Sequence, residues 1–313
     1  MSGWFRRLAV LATACLALWP GATASADGSG RDRRETLTWE GRERSVLLHL
    51  PPSAAGRLPL VVVLHGAGGN SAAFAEETQF AAAADASGFA AVFPDGIGTE
   101  PGKLSWDAHI CCGAALAQKS DDIGFIVALI DRLTAELPID RHRIYATGMS
   151  NGGMFAYQLA AARPDLIAAI APVSATIGGT SRDGEPFVIA PPDRPMPVMI
   201  MHGRKDPYVL FDGGTSKLLN YPKRSNMAVA DALAFWAKVD GCGGPPEREE
   251  VEPGRLARVD YPECGKGSAV VLWELVTGDH NWPPSDMTFP APDGGKRSAA
   301  AEILAFFAEH RRE

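Results

Sequence analysis

The stretch "YATGMSNGGMFAY", residues 145–157, sets Ser150 between Gly148 and Gly152, with an apolar run before it and small residues after it. The pattern G-x-S-x-G decides little alone, because glycine and serine are common in turns and the chain holds 33 glycines. Its surroundings decide more. "RIYATGM", after Pro138, reads as a buried strand, and "NGGMFAYQLAAARP" as the helix leaving Ser150. A serine on a sharp strand-to-helix turn stands above the sheet, its flanking glycines relieve clashes, and the helix start aims N–H groups and a positive dipole end at it. Ser150 is therefore a candidate nucleophile.

Working outward, "ETLTWEGRERSVLLHLP" reads as a hairpin turning near Gly41, and "LVVVLH", Leu60 to His65, as a strand buried on both faces. "SAAFAEETQFAAAADASG" reads as one alanine-rich helix stopping at Gly88, and "FAAVFPD" as a short strand. Residues 97–120 read as a long loop. Ser120 caps the helix "IGFIVALIDRLTAELP", with Asp121 and Asp122 meeting the positive end of its dipole. "LIAAIAPVSA", "PVMIMHG" and "AVVLWELV" read as further strands, and "MAVADALAFWAKVDG" and "SAAAEILAFFAEH" as helices. This alternation predicts an α/β fold, a mostly parallel sheet wrapped by helices with its ligand site at the carboxyl ends of the strands.

A serine hydroxyl is a weak nucleophile until a base takes its proton, and that base needs an orienting carboxylate. In strand–turn–helix serine enzymes the chain order is serine, acid, histidine. Only His280 and His310 come late enough; His280, in "TGDHNWPP", follows a buried strand, whereas His310 lies in the charged terminal helix. In "MIMHGRKDPYV", Asp206 follows another strand and is the preferred acid; Asp212 and Asp279 are its rivals. The oxyanion donors are expected to be the N–H of Asn151 and that of Ala67 in "LHGAGGN". That loop is not a nucleotide cradle, since Ser71 stands where the pattern needs glycine. Trp106 and Trp282 are candidates for lining a substrate pocket, with core packing as the alternative. His65 and His202 read as structural. No metal or organic cofactor is implied.

The chain opens with Arg6 and Arg7, an apolar run from Leu8 to Trp19 and then Ala24-Ser25-Ala26, which reads as a secretory signal peptide cleaved after Ala26. A lipid on Cys15 and twin-arginine export are weaker alternatives. Residues 27–313 then form one catalytic domain, secreted or periplasmic. Losing the two leader arginines takes the formal net charge from −7 to −9, which argues against nucleic acid and anionic membrane as partners. Of the four remaining cysteines, Cys242 and Cys264 are expected to pair, closing a loop worth on the order of 3 kcal/mol. Cys111 and Cys112 are either bonded to each other or free.

"LHGAGGN", "SWDAHICCG", "DDIGF", "IYATGMSNGGMFAY", "HGRKDP" and "GDHNWP" together resemble the secreted α/β-hydrolase esterases that include polyhydroxybutyrate depolymerases and feruloyl or acetylxylan esterases. The resemblance implies an α/β-hydrolase fold without a separate lid domain, with Ser150 as nucleophile, Asp206 as acid and His280 as base. Many relatives carry a different residue in place of Ala67. The expected activity is acyl transfer from feruloyl or related plant-wall and aromatic esters to water. A 3-hydroxybutyrate polyester or its oligomers is the alternative substrate, a peptidase a more distant one. A catalytically idle extracellular glycan-binding relative is the alternative of another class. "TIGGTSRDGEPFVIAPPDRPM" and "VLFDGGTSKLLNYPKRSN" are expected to be long loops shaping the pocket.

Overall fold

The computed structural model describes residues 25–26, 32–52, 56–100, 102–216, 218, 223–265 and 267–313. The expected leader, Cys15 included, lies outside the described residues apart from Ser25–Ala26, which pair antiparallel with Arg33 and Arg34.

Every residue of the strand Leu58–Leu64 is buried, because side chains leave it toward two separate cores. Leu60, Val62 and Leu64 meet Phe125 and Leu129 of the helix Asp122–Glu136, Phe155 and Leu159 of Asn151–Ala162, and Trp236 of Val229–Val239. Val61 and Val63 point the other way, to Phe74, Phe80, Ile303 and Phe307. Each such side chain contributes about 1.5–3 kcal/mol on burial.

Six strands form the parallel centre of an eleven-stranded sheet, in the spatial order Ala90–Pro94, Leu58–Leu64, Ile139–Met149, Ala169–Val173, Val198–Gly203 and Val270–Leu275. Antiparallel strands extend both margins. The expected hairpin, Asp32–Trp39 with Arg42–His49, lies on one side, turning at Glu40 and Gly41. Glu247–Glu252 with Leu256–Asp260 lies on the other. This second hairpin escapes sequence reading because "EREEVE" is a mostly exposed edge strand without apolar alternation.

Three sequence expectations need correction. The alanine-rich helix is two helices, Ser71–Thr78 and Phe80–Ser87, broken where Gln79 takes a left-handed conformation, φ 51°. That break lets Phe74 and Phe80 both meet the edge of Trp282, at 5.6 and 6.4 Å between ring centres. Residues 97–120 are not all loop: Ile97–Glu100 and Lys103–Ser105 form a hairpin, and Gly113–Gln118 a short helix. The two long segments expected as loops contribute Gly178–Thr180, Pro186–Val188, Gly214–Thr215 and Ser225–Asn226 to a small antiparallel sheet.

Cys242 and Cys264 form the expected disulfide, and Cys111 is bonded to Cys112. Beside the first bridge, buried Asp240 accepts hydrogen bonds from the Met196 N–H at 2.7 Å and from Ser268 Oγ, while its carbonyl accepts from Gly265 N–H at 2.7 Å. Burial pushes the Asp240 carboxyl from 3.8 up to about 6, and the two hydrogen bonds only partly oppose it. A carboxyl that binds its proton more tightly when folded stabilises the fold below its unfolded pKa and loses that contribution as pH rises through the folded one. Asp240 should therefore weaken the fold between about pH 4 and 6. Asp240→Asn should remove this component of the pH dependence, which parallel melting curves of the two proteins over that window will measure.

Candidate active site

Ser150 sits at φ 55° and ψ −119°, between the strand Ile139–Met149 and the helix Asn151–Ala162. A non-glycine residue in this region is strained and persists only where its surroundings hold it. Here its N–H donates to Val173 O at 2.9 Å and its carbonyl accepts from Met154 N–H at 2.8 Å. The helix start also presses against the neighbouring strand. A Cβ on Gly148 would lie 2.6 Å from Leu64 O, and one on Gly152 would lie 2.3 Å from Leu64 O and 2.5 Å from His65 O. Close approach of backbone to backbone is thus the reason for both glycines around the serine.

Asp206 follows the strand Val198–Gly203 and His280 follows Val270–Leu275; the two strands run parallel in register, so their loops emerge side by side. His280 Nδ1 lies 2.7 Å from Asp206 Oδ2, and its Nε2 lies 2.9 Å from Ser150 Oγ. Asp206 is buried and accepts from the Tyr208 and Val209 N–H groups, both at 2.8 Å, through Oδ1. His202 Nε2, itself donating to Val209 O at 2.8 Å, lies 3.4 Å from Oδ2. Burial pushes the Asp206 carboxyl up, but hydrogen bonds from His202 and His280 outweigh it and hold its pKa at about 2. An ionised acceptor at Nδ1 fixes the proton there, which leaves the Nε2 lone pair facing the serine hydroxyl. The rival acids stand elsewhere: Asp212 is exposed with Arg204 at 3.6 Å, and Asp279 accepts from Asn281.

The "HGAGGN" loop lies against the serine, since a Cβ on Gly66 would be 3.6 Å from Ser150 Cβ. His65 braces it: Nδ1–H donates to Gly66 O at 2.8 Å and Nε2 accepts from Gly96 N–H at 3.0 Å. Burial lowers the pKa of this imidazole and keeps it neutral, as an imidazole that accepts at one nitrogen must be. Leu104 closes the far side, accepting from Gly68 N–H at 2.8 Å and donating to Gly69 O at 3.0 Å. Asn151 opens the helix, where first-turn N–H groups have no partner within the helix. Its side chain accepts from Trp106 N–H at 2.7 Å and donates to the carbonyls of Trp106 and Cys111, both at 3.0 Å. The helix that follows Ser150 and the "SWDAHICC" loop are therefore bound to each other by one amide.

Trp106 does not line a pocket. It is fully buried, stacked on Phe155 at 5.2 Å with its indole N–H on His65 O at 3.0 Å, because the loop carrying it folds inward over the helix. Trp282 is largely core, and its remaining surface faces a cavity of about 550 Å³ shared with Asp279, Asn281 and Met287 rather than with Ser150. Asp121, not Ser120, caps its helix by accepting from Gly124 N–H at 2.9 Å. Asp122 is buried and pairs with Arg44 at 2.8 Å, while accepting from the Asp107 N–H at 2.7 Å. A larger cavity, about 750 Å³, is lined by Ala67, Ile110, Cys112, Leu116, Phe187 and Arg224 among others, and Phe187 and Arg224 come from the two long segments expected to shape a pocket. Its walls come from segments up to more than a hundred residues apart, so which of their side chains meet is decided only by folding. Among the described residues no group of three or more His, Cys, Asp or Glu is placed to hold a metal.

A family model described as "Esterase PHB depolymerase" matches residues 44–236. A protein of Nocardia uniformis subsp. tsuyamanensis described as "Putative esterase NocK" is 30% identical over 266 residues, covering 80% of this chain and 73% of NocK. Feruloyl esterase B of Piromyces equi is 29% identical over 239 residues, 76% of this chain but 42% of that longer protein. Among solved structures, an acetyl xylan esterase from Aspergillus awamori superposes with a TM-score of 0.54 at 14% identity, over 85% of this chain and 94% of that one, a likeness of fold.

Gly152→Ala should force the helix start away from Leu64 and His65. A loss of at least about 1–3 kcal/mol is expected from such overpacking, measured by denaturant unfolding.

Proposed function

The chain belongs to the esterase PHB depolymerase family of carboxylic ester hydrolases, and on that premise we propose that it is a secreted serine esterase using Ser150, His280 and Asp206. One observation carries this reading: a single imidazole lies within hydrogen-bond distance of the serine hydroxyl on one side and of a buried carboxylate on the other. Ser150 Oγ attacks the ester carbonyl as His280 Nε2 takes its proton. The tetrahedral oxyanion is met by the N–H groups of Asn151 and Ala67, and the alcohol departs with the proton from His280. Water then cleaves the acyl-enzyme by the same route, with Asp206 holding the imidazole's tautomer and balancing its charge.

For the substrate, feruloyl or related plant-wall and aromatic esters are the first choice, supported by the similarity to feruloyl esterase B of Piromyces equi. The description of the matching family model supports 3-hydroxybutyrate polyester or its oligomers as the second reading. Secretion is supported by the sequence of residues 1–26 and by the disulfide between Cys242 and Cys264. No helix among the described residues is long and apolar enough to cross a membrane.

Initial rates on methyl ferulate, p-nitrophenyl acetate and a 3-hydroxybutyrate oligomer should all depend on Ser150, and their order selects the substrate. Ser150→Ala should keep its melting temperature and lose both turnover and labelling by a fluorophosphonate. Asp206→Asn should lose about four orders of magnitude in kcat, as expected when the imidazole is held in the wrong tautomer. A folded wild-type protein that neither hydrolyses these esters nor takes the label would return the glycan-binding reading.

A further inference from the structure

Asp206 Oδ2 faces two imidazoles. His280 Nδ1 lies 2.7 Å from it and His202 Nε2 lies 3.4 Å from it, while the Tyr208 and Val209 N–H groups occupy Oδ1. His280 reaches on to Ser150, whereas His202 stands near the carboxyl end of the otherwise apolar strand Val198–Gly203. The side chains of His202 and Asp206 are both completely buried. Burial pushes the carboxyl up, and the hydrogen bond from His202, ahead of that from His280, brings it down to about 2.

The surroundings of His202 decide what its ring does. Nε2 lies 2.8 Å from Val209 O, an atom that can only accept, so this nitrogen carries the hydrogen. Nδ1 is buried without a hydrogen-bond partner among the described residues, and the ring stands edge-on to Phe211 at 5.8 Å between centres. The one N–H thus serves two acceptors, Val209 O closely and Asp206 Oδ2 at longer range. Val209 in turn gives its own N–H to Asp206 Oδ1 at 2.8 Å, which closes a ring of hydrogen bonds through His202, Val209 and Asp206. A carboxylate held at both oxygens cannot turn about its Cβ–Cγ bond without breaking one of these contacts, so Oδ2 stays aimed at His280. Simple core filling does not account for the residue. An apolar side chain would occupy the space without the desolvation cost of an imidazole that leaves one nitrogen unpartnered.

We propose that His202 is a positioning residue for turnover, acting through Asp206: its Nε2–H fixes the plane of the carboxylate that orients His280. The inference rests on the assignment of Ser150, His280 and Asp206 as a catalytic triad.

The test is a double-mutant cycle on p-nitrophenyl acetate with the wild type, His202→Phe, Asp206→Asn and the double variant. Asp206→Asn keeps an acceptor for the Tyr208 and Val209 N–H groups but puts an amide in place of Oδ2, which removes the contact at issue. His202→Phe should lower kcat at least about tenfold with KM little changed, as expected when a hydrogen bond to a charged group serves orientation rather than binding. In the Asp206→Asn background the same substitution should cost no more than about twofold, because residues that act as a unit are not additive. An equal loss in both backgrounds makes His202 independent of Asp206 and overturns the proposal, as does a His202→Phe enzyme as fast as the wild type. His202→Gln, whose amide can donate to the same oxygen, should recover most of the loss, and a His202→Gln enzyme as slow as His202→Phe counts equally against it. Full activity of Asp206→Asn, or no hydrolysis by the wild type, would instead sink the triad reading and the proposal with it. Should His202→Phe not fold, nitrogen-15 NMR of the wild-type histidines decides: a hydrogen on His202 Nε2 supports the proposal, and one on Nδ1 alone overturns it.

Discussion

The contact between the start of the helix Asn151–Ala162 and the carbonyls of Leu64 and His65 governs the arrangement of the site. Helix and strand approach so closely that positions 148 and 152 have no room for a Cβ, and the chain between them must turn through a left-handed serine at φ 55°. The strain at Ser150 is offset by the hydrogen bond from its N–H to Val173 O and by the two apolar layers that clamp the sheet. In return the turn lifts the hydroxyl above the sheet and leaves first-turn amides pointing at it.

What surrounds the serine is held by polar groups that the core would not tolerate unpaired. The Asn151 side chain spends its acceptor and both donors on the loop containing Trp106 and Cys111. Asp122 binds Arg44 on one oxygen and the Asp107 amide on the other, so the same loop is fastened at a second point. His65, neutral and saturated at both ring nitrogens, braces the loop that carries Ala67. Each is a buried group whose partner could not be removed without a desolvation penalty of about 1–3 kcal/mol. The result is a rigid frame on the Ala67 side of the site. On the other side, Asp206 owes its low pKa to His202 and His280, which keep it a carboxylate despite its burial, while two backbone amides hold its other oxygen.

The sequence by itself determined the alternation of strands and helices, the elbow and the three residues that meet there. Ser150, Asp206 and His280 each follow an apolar strand run, and such runs are legible because a strand buried on both faces must be continuously apolar. Chain order then left few choices of acid and base. Tertiary structure decided what no local pattern encodes. Trp106 became core because its loop folds inward over Phe155, Gln79 broke a helix so that two phenylalanines could reach Trp282, and the long insertions paired into a second sheet. The cavity walled by Ala67, residues 109–117, Phe187 and Arg224 likewise exists only after folding. Periodicity reports which face of an element is apolar, whereas a pocket depends on which distant faces meet.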